Sequence, residues 1–137
     1  MYPDYNLLDN LPIPHDLMPA LTVSAKGNAY LSQDLISRLR LRGGQPIDVL
    51  PPNSERTPYW HLDLRPNARR NIDWYPDTRP RIRGLLLPAD LLHEGELLTL
   101  RLVPGEPAFP GFYPLLPAGP PVMRPKRPRQ GVGGVNP

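Results

Sequence analysis

Proline limits what this chain can fold into. It fixes φ and lacks an amide donor, which keeps it out of helix interiors and central ladders. The 137-residue sequence holds 22 prolines, about three times the average usage of about 5%. Their placement marks edges. Residues 1–19 carry Pro3, Pro12, Pro14 and Pro19 and read as an extended arm whose Leu7, Leu8, Leu11 and Ile13 pack on a neighbour, or as a simple leader. Residues 67–80 form a polar connector, and residues 104–137 form a proline-rich, basic tail. Between these lie two segments with ordinary strand and helix signals, residues 20–66 and residues 81–103.

The first segment is the more informative. In Leu21-Thr22-Val23-Ser24 apolar and polar residues alternate, as they do when one strand face is buried and the other wet. Lys26-Gly27-Asn28 supplies residue types that tolerate a positive φ in a hairpin turn, and Ala29-Tyr30-Leu31 returns as a short strand. Ser32 is a good helix N-cap, Asp34 suits the positive end of the helix dipole, and Leu35, Ile36 and Leu39 recur at helical spacing. Arg38, Arg40 and Arg42 suit the negative end, and Gly43 suits a left-handed helix stop, so the spacing predicts a helix over residues 33–42. Ile47 and Val49, then Trp60, Leu62 and Leu64, alternate with polar residues and predict two more strands.

The second segment echoes the first. Leu87-Pro88-Ala89-Asp90-Leu91-Leu92 follows Leu31-Ser32-Gln33-Asp34-Leu35-Ile36, and Gly95 with Leu98 and Leu100 follows Gly44 with Ile47 and Val49. Fewer residues separate Asp from Gly here, so the second helix is one turn at most. Chance recurrence in a leucine-rich chain is the alternative. A unit of about 45 residues is marginal by itself, so a second β-α-β piece would help to bury apolar surface.

Lys26-Gly27, Leu31, Asp34-Leu35, Leu39, Leu41, Gly44, Ile47 and Val49 resemble, in kind and order, the AbrB/MazE/SpoVT swapped-hairpin domain. The resemblance covers roughly a third of the chain and implies a mainly β fold with one or two short helices, an AbrB-like β-α-β barrel. In that family two chains exchange hairpins to form an obligate dimer, and basic residues beside the turn and at the helix start touch DNA. Carried onto this chain, the DNA-binding residues are Lys26, Asn28, Arg38 and Arg42, with Arg69 and Arg70 able to extend the patch. Two units in one chain can pair as the family's two chains do, so an intrachain pseudo-dimer is favoured over a homodimer. The scaffold matches better than the reading surface. Asn28 stands where the family usually has a basic residue, Ser32 where it has proline, and Ile36 and Ser37 where it has arginine.

Composition narrows the chemistry. There is no cysteine, which excludes disulfides and thiolate metal sites. A net charge of +3 is compatible with an anionic partner without demanding one. His15, His61 and His93 lack ligand-spaced partners, so no metal or other cofactor is expected. No nucleophile elbow, phosphate loop or dinucleotide fingerprint is present, and no residues nominate themselves as catalytic. The first residues lack the pattern of a secretory leader, and no apolar run approaches the roughly 20 residues that cross a bilayer. A cytoplasmic, non-enzymatic protein without a membrane segment is expected.

In the tail, Arg124, Lys126, Arg127 and Arg129 make a basic cluster suited to phosphates or to solubility. So many prolines predict a polyproline-like or disordered segment that makes no ladders. Phe109, Phe112, Tyr113, Leu115 and Leu116 are nevertheless too apolar for an idle linker and are expected to lie on the body or on a partner. Two functions follow: a small AbrB-like DNA-binding protein, acting as a transcriptional regulator or antitoxin; or a protein-interaction or structural module gripping a partner through Phe109, Phe112, Tyr113 and Leu115.

Overall fold

In a computed structural model of the chain, residues 18–54, 56–75 and 79–124 are described. The N-terminal leucines expected to pack on a neighbour and the basic residues after Arg124 lie outside that range. The chain runs β1 (Ala20–Ser24), β2 (Ala29–Leu31), α1 (Gln33–Leu39), β3 (Pro46–Leu50), β4 (Trp60–Asp63), β5 (Arg70–Asn71), β6 (Arg81–Ile82), β7 (Glu96–Leu102), β8 (Phe112–Pro117) and β9 (Val122–Met123).

Every ladder is antiparallel, and the strands follow one path, β5-β3-β4-β8-β7-β1-β2-β6, with β9 on β7. A bridge between Asp73 and Arg81 brings the two ends of that path together, so the protein is mainly β and nearly closes into a barrel. The inward positions Leu21, Val23, Ala29, Leu31, Ile47, Val49, Trp60, Leu62, Ile82, Leu100 and Leu115 fill it, and helix α1 adds Leu35.

The pairing has a symmetry of its own. Exchanging β1, β2, β3 and β4 with β5, β6, β7 and β8 maps the ring of ladders onto itself. The hairpin β1-β2 answers the bridge beside β5 and β6, and β3-β4 answers β7-β8. The crossed ladder β1-β7 answers β3-β5, while β4-β8 and β2-β6 map to themselves. The crossed ladders tie the halves together: β1 pairs along its whole length, Ala20 to Ser24, with a strand of the other half.

Local chemistry explains the joints. In the β1-β2 turn the Gly27 amide donates to Ser24 O and the Ser24 amide to Asn28 O. Gly27 has φ +87, and a Cβ there would lie 2.8 Å from the Leu85 carbonyl oxygen, so the turn needs glycine for conformation and for clearance. Ser32 is fully buried. Its Oγ accepts from the amides of Leu35 (3.1 Å) and Ala20 (3.0 Å) and donates to Met18 O (2.8 Å), fastening the helix start to the head of β1. Ser32→Ala strands two buried amides, and a loss of about 3 kcal/mol in urea unfolding is expected. A change below about 1 kcal/mol would show that this cap is not a joint of the barrel.

Four expectations need correction. The helix ends at Leu39, not at 42, and its left-handed residue is Arg40 (φ 54), not Gly43. The cause is Leu41, which is buried and whose amide returns to Ile36 O at 3.0 Å, so the chain must reverse at Arg40, three residues earlier. Next, β1 is buried on both faces, Thr22 and Ser24 included, because it sits between β2 and β7 with Tyr30, Thr99 and Leu97 as cross-strand neighbours of those two residues. The connector supplies a strand, β5, where its Arg70-Asn71 pair with Ile47 and Pro46.

The fourth correction concerns the proline-rich segment, which does form ladders. Strand β8 lies between β4 and β7, and Leu115 faces Trp60 in the core. Its prolines are placed where the missing amides cost little. The Pro114 carbonyl accepts from Val103, beyond the last residue of β7, and Pro117 is the last residue of β8. Over residues 88–92 the echo of the helix is a single turn, closed by the Leu91 amide on Pro88 O.

Candidate nucleic-acid interface

The residues expected to touch DNA do not form one surface. Lys26 and Asn28 sit in the β1-β2 turn, where they line a groove of about 420 Å³ that also includes Tyr30, Glu94, Glu96 and Arg124. Two carboxylates therefore share the groove with Lys26. The helix begins at the opposite end of the hairpin, where Ser32 bonds to Ala20. Arg38 is held by Asp34 at 3.2 Å, a solvent-exposed i,i+4 pair. Arg42 lies in a turn laid against β5, where Gly44 donates to Ile72 O at 2.7 Å and Gly43 packs beside Trp74. Among the described residues, no hydrogen bond or ion pair engages the exposed side chains of Lys26 and Arg42, which leaves both free to meet an anion.

The residues expected to grip a partner are equally dispersed. Leu115 is fully buried and Tyr113 packs against the core, while Phe109 is 64% exposed in the β7-β8 loop. Phe112 is stacked on His61, with ring centroids 4.3 Å apart, and the Arg65 guanidinium lies 4.6 Å from its centroid. Burial, and after it the charge of Arg56, lowers the His61 pKa, so that the ring is neutral at pH 7.

A denser polar constellation lies along β3, β4 and β5. Asp48 and Asp63 stand opposite each other in the β3-β4 ladder, both buried. Arg70 reaches both oxygens of Asp48 at 3.3 Å and donates through Nε to Gly84 O at 2.6 Å. Arg65 chelates Asp63 at 2.8 and 3.1 Å. Burial alone would raise the Asp63 pKa; the Arg65 guanidinium and amide outweigh it and hold the carboxyl below its ordinary value, while Asp63 raises that of Arg65. Farther along, Arg83 and Arg81 approach Asp73 at 3.0 and 3.6 Å.

The arrangement is one-sided. The side chains of Asp48, Asp63 and Asp73 are 7%, 9% and 13% exposed, while those of Arg65 and Arg83 are 45% and 61% exposed. At Asp63 and Asp73 the carboxylate lies beneath and the Arg65 or Arg83 guanidinium above, so solvent meets positive charge there, while Arg70 over Asp48 is itself only 17% exposed. Arg69 and Arg70 were legible as a basic pair; the roles of Arg81 and Arg83 were not, since the bridge between Asp73 and Arg81 brings their partner to them, whereas Arg65 pairs locally with Asp63 two residues before it.

Among the described residues no group of three or more His, Asp or Glu side chains could hold a metal ion, and no helix is long and apolar enough to cross a membrane. In comparison with known proteins, no family model, no curated protein and no solved structure matches the chain.

Proposed function

We propose that this chain is a non-enzymatic, single-chain DNA-binding protein of AbrB/MazE/SpoVT-like design, working in the cytoplasm as a transcriptional regulator or antitoxin. The observation that carries the reading is the crossed pairing, in which β1 joins the sheet of the second half and β5 that of the first. Exchanged hairpins between two copies of a β-α-β unit would produce this pattern. Here one polypeptide would supply both copies, the second running from β5 to β8 with its helix worn down to one turn. Such a body holds a partner instead of transforming it.

Lys26 and Arg42, exposed and without ion partners, are the basic side chains best placed to meet phosphates. Arg38 is committed to Asp34, and Asn28, whose backbone amide donates to Ser24 Oγ at 3.3 Å, carries no charge. The double variant Lys26→Ala with Arg42→Ala is expected to weaken duplex binding at every sequence and to flatten the salt slope by about two. Gel-shift titrations at two salt concentrations measure both. Unchanged binding at low salt would defeat the assignment of these residues.

The exposure of Phe109, Val122 and Met123 favours a second reading, docking of a partner protein. In that case the triple alanine variant at those positions loses the partner in a pull-down and keeps its DNA affinity.

A further inference from the structure

The cleft between β3, β4 and the turn of residues 65–70 plays no part in the reading above. It has a volume of about 320 Å³, and the charged side chains lining it are Asp48, Asp63, Arg65, Arg69 and Arg70. We propose that this cleft is a binding site for a phosphate group, with Arg69 and Asn67 as its recognition arms and Arg65 and Arg70 as its fixed wall.

The charge balance points that way. Asp48 is matched by Arg70 and Asp63 by Arg65, which leaves Arg69 as an unmatched positive charge at the mouth. Arg69 and Asn67 are exposed, Asn67 within and Arg69 just after the turn closed by the Ala68 amide on Arg65 O, and among the described residues they have no side-chain partner. The wall is rigid as well as positive. Arg65 is clamped by both oxygens of Asp63 and laid on the Phe112 ring, and Arg70 is pinned between Asp48 and the Gly84 carbonyl. Guanidinium groups held in place by buried carboxylates lose little freedom when an oxyanion arrives, and their unused N–H groups remain as donors. Asp48 and Asp63 are thus positioning residues, and the two engaged arginines keep their negative charge from reaching the ligand unscreened.

A phosphate in this cleft can come from a nucleic-acid backbone or from a free phosphorylated compound. The test uses the full chain with pyrophosphate as one probe and a short duplex DNA as the other. Arg69→Ala is compared with Arg101→Ala, an exposed arginine on β7 outside the cleft that carries the same change in net charge. Calorimetric titration should show saturable pyrophosphate binding, weakened about tenfold by Arg69→Ala and unchanged by Arg101→Ala.

If duplex affinity also falls with Arg69→Ala, with the salt slope reduced by about one, the phosphate belongs to nucleic acid. If only pyrophosphate binding falls, it belongs to a free compound; both results uphold the site. Equal losses in the two variants, or no saturable pyrophosphate binding, would overturn it. A duplex that depends on Lys26 and Arg42, together with no saturable or no Arg69-dependent pyrophosphate binding, sinks the cleft proposal and leaves the DNA reading intact. Arg69-dependent pyrophosphate binding by a chain that binds no duplex does the opposite.

Discussion

Truncation after Val103 is expected to abolish cooperative unfolding, as measured by circular dichroism in a urea series, instead of trimming a tail. Among the described residues strand β8 is the only link between β4 and β7, so its removal leaves two long facing edges and opens the core along Trp60, Leu62 and Leu100. A graded version of the same experiment is Leu115→Ala. That side chain is fully buried opposite Trp60, and its loss should cost about 3 kcal/mol, from lost burial and the cavity left behind. Phe109→Ala, six residues earlier and 64% exposed, should stay within about 0.5 kcal/mol. Equal effects at the two positions, or a truncated chain that still melts cooperatively, would remove β8 from the barrel.

Arg70→Met is expected to be nearly as damaging, at about 3 kcal/mol, because it leaves the Asp48 carboxylate buried with no counter-charge. The same change also removes the bond to Gly84 O that spans the gap between β5 and the chain beyond β6. Arg38→Ala provides the contrast. Its pair with Asp34 is exposed, and a few tenths of a kcal/mol are expected. Pairing Arg70→Met with Asp48→Leu should recover most of the loss, since replacing both partners leaves no orphaned charge. Failure of that rescue would assign the damage to the Gly84 contact, and a neutral Arg70→Met would show that the ion pair carries no weight.

The strands β1 to β4 and the helix start were legible because their signals are local. Alternation in Leu21–Ser24, the Lys26-Gly27-Asn28 turn and the Ser32 cap each depend on neighbours in sequence. What was not legible depends on distant partners. Leu41 ends the helix early only because a core waits for it, and Thr22 gains Thr99 as a neighbour because β7 arrives some 75 residues later. The proline-rich segment was the hardest case. Pro114 and Pro117 argue against a central strand unless their missing amides are known to fall at the ends of the neighbouring ladders. For the candidate site, Arg69 and Arg70 could be read as a basic pair and Asp63 and Arg65 lie two residues apart, while the seat of Phe112 against Arg65 required the β4-β8 register.

The crossed ladders also govern how the molecule comes into being. On a ribosome the first hairpin emerges early, but the strand that must lie along β1 is made only after Ile82, and the one that seals β4 is later still. Neither half can finish its own sheet, so the nascent chain holds an unpaired edge until β7 and β8 have left the exit tunnel. Closure is then a single late event between remote segments, the kind of long-range search that slows folding.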